Sequence, residues 1–82
     1  MNLKIIIFFF SVNECYEISK FALEQKDFYN SALWMREILT FPQEQFLINK
    51  ISIAEVKENM LLSMANYFIM VFHLKYILPL KN

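Results

Sequence analysis

Cys15 and His73 are the side chains best suited to nucleophilic or metal chemistry in this 82-residue chain, and each is the single member of its type. A lone cysteine makes no internal disulfide and no thiolate-based metal site. It reads as a small buried apolar side chain. A lone histidine without a convergent carboxylate set reads as a half-exposed helical residue. No nucleophile–base pair, paired acid and base, metal set or phosphate loop can be traced. The chain contains no glycine, which argues against tight hairpins, phosphate loops and glycine-capped helices. The residues therefore point away from an independent enzyme and toward an all-α chain.

The elements that would position a binding surface follow from capping residues and apolar spacing. Ser11 with Glu14 three residues on fits a capping box, with Asn13 as a rival cap, and opens a first helix over residues 13–26. Cys15, Ile18, Phe21 and Ala22 recur at helical spacing and should line its inner face. Asp27 caps a second helix, 28–40, with Phe28, Ala32, Met35 and Leu39 as its stripe, widened by Leu33, Trp34 and Ile38. Pro42 restricts Phe41 and ends it. So short a link makes the two helices an antiparallel hairpin. Ser19 and Ser31 leave room for a neighbouring helix. Residues 42–51 read as a connection. Ser52 and Glu55 repeat the capping-box spacing and start a third helix at Ile53. Ile53, Val56, Met60, Met64, Tyr67 and Val71 form its stripe, and nothing breaks it before Pro79.

Charge divides the chain. The eight acids and eight bases cancel, but every acid lies between Glu14 and Glu58. The first 13 residues hold only Lys4, and residues 60–74 carry no formal charge. No basic cluster suggests nucleic acid. Residues 1–12 place Lys4 before the apolar run Ile5–Phe10. This fits either the front of a secretory signal peptide or the apolar start of a strand or helix. Residues 60–74 are the strongest membrane candidate, although short of the ~20 apolar residues of a span. A small membrane-associated helical protein, anchored by 1–12 and 60–78, is the alternative reading. A helical interaction module without a ligand groove is a third.

An internal repeat links "ISKFAL" (18–23) to "LSMANY" (62–67). A branched aliphatic side chain precedes serine in both, and both continue as helix. Tetratricopeptide units have a period of about 34 residues, and the connection at 42–51 would account for the longer offset here.

"ECYEISKFALEQKDFYNSALWMREIL" resembles the peptide-substrate-binding domain of the collagen prolyl 4-hydroxylase alpha subunit. The likeness lies in Glu14-Cys15-Tyr16-Glu17-Ile18-Ser19-Lys20, in Asp27-Phe28-Tyr29 and in Leu33-Trp34-Met35, and it continues through "KISIAEVKENMLLSMANY". It covers residues 13–68. The resemblance implies a tetratricopeptide-like hairpin plus a long third helix, with the second repeat incomplete because Phe68–Val71 run on where the family turns. It implies proline-rich, procollagen-type peptide as partner and the endoplasmic reticulum lumen as location. The family's groove tyrosines fall on Leu61, Met64 and Tyr67, of which only Tyr67 keeps the tyrosine. The family's catalytic domain, with its iron, 2-oxoglutarate and ascorbate, has no counterpart here, so no cofactor is expected in this chain. Residues 69–82 form an apolar extension outside the resemblance, and the whole reads as a fragment of a longer subunit.

Overall fold

The computed structural model describes residues 10–81. Among them the chain is helical, with α1 at Val12–Glu24, α2 at Phe28–Ile38, a short α3 at Gln43–Ile48 and α4 at Ile53–Phe72. The helical path then continues through a π turn, His73–Ile77, and a 3₁₀ turn, Leu78–Lys81. The all-α expectation holds. The signal-like reading of the N-terminal segment falls largely on residues 1–9, outside the described residues.

Helix starts obey local chemistry. The Ser11 hydroxyl accepts from the Glu14 N–H at 3.1 Å, and the Ser11 N–H donates to the Glu14 carboxylate at 3.1 Å. Both bonds of the capping box form, so Ser11 rather than Asn13 is the cap. Asp27 accepts from the Asn30 N–H and, at 2.7 Å, from the Asn30 side chain. Ser52 accepts from the Glu55 N–H at 3.1 Å. The Glu55 carboxylate instead faces the Tyr16 hydroxyl on α1.

Helix ends are less ordinary. Lys26 and Lys50 hold left-handed backbone, at φ 59° and 55°. After α1, the Lys26 N–H reaches the Leu23 carbonyl and the Asp27 N–H reaches Ala22. After α3, the Lys50 N–H reaches Leu47 and the Ile51 N–H reaches Phe46. Each pair is a Schellman motif, in which the left-handed position normally falls to glycine. With no glycine in the chain, lysine bears the Cβ–carbonyl crowding, a cost of about 1–2 kcal/mol per residue. Lys26→Gly and Lys50→Gly should each stabilise the fold by about 1 kcal/mol, the flexibility of glycine in the unfolded chain offsetting part of the relief. Urea unfolding followed by helical circular dichroism measures this, and a lower midpoint in either variant would refute it.

The core joins Val12, Cys15 and Tyr16 of α1, Met35 and Ile38 of α2, Phe46 of α3 and Val56 of α4. Helix α2 packs against α1 on one side and α4 on the other. Two expectations need correction. Phe21 does not line the inner face of α1: it is 63% exposed, and the buried set is Val12, Cys15, Tyr16 and Ser19. At 3.6 residues per turn that set forms one stripe and Phe21 falls on the opposite side. The span 42–51 is also more than a connection. It contains α3, whose Phe46 is buried in the core while Leu47 and Ile48 stay exposed.

Helix α4 runs past the bundle, giving the molecule a 53 Å long axis against 27 and 18 Å. Pro79 acts on it from a distance. Proline has no N–H for the carbonyl four residues back and its ring crowds that position. The ladder widens just before it, and the Leu78 N–H bonds to the His73 carbonyl in the π register.

Candidate ligand groove between α2 and α4

Two serines set how closely α2 and α4 approach. Ser31 and Ser63 are fully buried, and their hydroxyl oxygens are 2.6 Å apart. Ser63 donates to the Asn59 carbonyl at 2.8 Å, which leaves its oxygen to accept from Ser31. Each hydroxyl proton then has one acceptor, and no side chain larger than serine separates the helices there. Ser19, also fully buried, turns its hydroxyl back to the Tyr16 carbonyl at 2.7 Å. The small-residue expectation for Ser19 and Ser31 holds.

Beside this contact the two helices leave a groove of about 180 Å³. Tyr29, Ala32, Leu33 and Arg36 form the α2 wall. Met60, Met64, Tyr67 and Phe68 form the α4 wall. The Tyr29 and Tyr67 rings lie 5.4 Å apart at 45°, and Phe68 meets Tyr67 at 6.0 Å. The volume is below the ~300–1,000 Å³ of common small-molecule sites. It suits one or two apolar rings presented by a larger ligand. Arg36 is the charged group at the rim, its guanidinium 3.3 Å from the buried Glu37 carboxylate.

Of the three positions named by resemblance, Met64 and Tyr67 are in this groove and Leu61 is not. Leu61 does not line the groove and is 61% exposed. Tyr29 is the residue that sequence reasoning missed as a site component. Its signal was available, because Tyr29, Ala32, Leu33 and Arg36 recur at helical spacing on a face of α2 distinct from Ser31, Met35 and Ile38.

No known protein family, curated protein or solved structure matches the chain.

The ionisable core groups are structural. Burial, reinforced by the Glu14 charge, pushes the Cys15 thiol up to about 11. The thiol is fully buried and stays protonated at neutral pH, which suits packing and not nucleophilic attack. Burial, with Glu55 beside it, pushes Tyr16 up to about 12. Among the described residues its hydroxyl reaches hydrogen-bonding geometry with no neighbour, while Lys20 sits over its ring at 4.8 Å. His73 lies on the exposed extension of α4. Among the described residues, no three His, Cys, Asp or Glu side chains converge as a metal site would require.

Proposed function

We propose that this chain is a non-catalytic, tetratricopeptide-like binding segment for proline-rich, procollagen-type peptides, part of a subunit related to the prolyl 4-hydroxylase alpha subunit and working in the endoplasmic reticulum lumen. The observation that carries the reading is the Tyr29–Tyr67 pair set in an apolar groove. A polyproline II ligand is extended before it binds and loses little entropy. Its rings stack on aromatic faces, and its free carbonyls accept from donors at the rim. Tyr67 and Tyr29 supply the faces, Met64 an adaptable apolar wall and Arg36 a donor. The serial packing of α1, α2 and α4 supports the tetratricopeptide-like part of the reading, since each such unit buries its apolar face against the next. Leu61 takes no part in this groove.

The test is titration of a fluorescently labelled (Pro-Pro-Gly)-type peptide. Saturable binding is expected, at least about tenfold weaker for Tyr67→Ala, from lost ring contact and area, and unchanged for Leu61→Ala. Absence of saturation, or equal affinity of the Tyr67 variant, would discard the groove.

A further inference from the structure

Beyond the groove, the end of α4 is left uncovered by the other described residues. From Phe68 onward its extension is exposed apart from a half-buried Val71. Phe68, Ile69, Met70 and Val71 are consecutive, and at 3.6 residues per turn they step through the full circumference of the helix. Phe72 and Leu74 continue the pattern, both more than half exposed. From Phe68 to Leu74 the single polar side chain is His73, which does not make a polar face. A helix that binds another helix needs an apolar stripe on one side and keeps a polar remainder for water. A second copy docked on one side of Phe68–Val71 would leave the other sides in water. Lipid covers every side at once.

Charge selects the kind of lipid. After Glu58 the formal charges are Lys75 and Lys81, both positive, with no acid to oppose them. We propose that the extension Ile69–Leu80 inserts into a bilayer with anionic headgroups, held there by Lys75 and Lys81. The twelve residues rise about 18 Å at 1.5 Å each, less than the ~30 Å hydrocarbon core. The segment therefore enters a leaflet without crossing. Entering at a shallow tilt keeps Lys75 and Lys81 within a side chain's reach of the headgroups, to which their stems return the ammonium groups. The α1–α2 hairpin, which holds most of the acids, stays in water.

Flotation of the whole chain with vesicles tests this. The chain should float with phosphatidylcholine–phosphatidylserine vesicles and bind phosphatidylcholine alone more weakly. Ile69→Asp with Phe72→Asp should abolish flotation while keeping helical circular dichroism, since neither side chain enters the core. Lys75→Gln with Lys81→Gln should weaken binding to the phosphatidylserine vesicles about 30-fold, from roughly 1 kcal/mol per lysine near an anionic surface. A chain that stays at the bottom of the gradient with both vesicle types overturns the proposal. So does a soluble oligomer that the aspartate variant dissociates, which would make a second copy the occupant. Tyr67→Ala should float as the unchanged chain does, so membrane insertion and peptide binding fail or stand separately.

Discussion

Met35→Ala is expected to unfold most of the population at room temperature. Met35 is fully buried where α2 meets the core of α1, α3 and α4. Truncating a buried Leu, Ile or Met to alanine costs about 2–5 kcal/mol, the spread reflecting how far the site can collapse. At ~0.05–0.15 kcal/mol per residue, a chain of this length has about 4–12 kcal/mol in total. Small chains lie toward the lower end, because they bury a smaller share of their surface. Collapse around residue 35 is also restricted, since α2 is held on one side by α1 and on the other by the Ser31–Ser63 contact with α4. Loss of half or more of the helical circular dichroism without denaturant is the expected reading. Trp34, which meets Phe10 edge-on at 6.4 Å, reports the same loss by a red shift of its emission. A variant with an unaltered urea midpoint would mean that Met35 does not carry the core.

Ser63→Leu should be the second most damaging change, and it separates the groove from the rest of the fold. Leucine cannot fit where the two serine oxygens approach to 2.6 Å. Overpacking of this kind costs about 1–3 kcal/mol and shifts backbone. The shift available here is separation of α4 from α2, which moves Tyr67 away from Tyr29. Peptide binding should therefore fall with stability, while the α1–α2 hairpin remains helical. Ser63→Ala is the contrast. It removes the acceptor for Ser31, but Ser31 has a second acceptor in the Phe28 carbonyl at 3.1 Å. The loss should be about 1 kcal/mol, with the groove intact. Urea unfolding and the peptide titration, run on both variants, check the pair. Equal effects from leucine and alanine would show that close approach at Ser63 does not set the helix spacing.

These two residues mark the boundary of what the chain discloses when read alone. Met35 is legible as core because it stands on an apolar stripe with helical period. Ser31 is legible as a small residue kept for a neighbour. That Ser63 is that neighbour's contact is not legible, because the pairing depends on the crossing of α2 and α4, and side-chain period does not specify a crossing angle. The groove has the same history. Tyr67 and Met64 were indicated by resemblance, but their α2 counterparts, Tyr29 and Arg36, come from the other side of that crossing. Leu61, three residues before Met64, rotates out of reach.

By itself the sequence determined the all-helical class, the starts of the three main helices and the sharp division between a charged middle and an apolar end. These rest on interactions within one turn. A Ser or Asp oxygen meets an N–H two or three residues on, and period 3.6 puts like residues on one side. The tertiary structure decided what lies between helices and at their ends. It turned Phe21 outward, recruited Phe46 of α3 to the core and drove Lys26 and Lys50 into left-handed backbone. For the two phenylalanines the reason is non-local: which side of a helix is covered depends on where the other helices pack. The two lysines accept an unfavourable φ because the hydrogen bonds that close each helix end there turn the chain back toward the next helix.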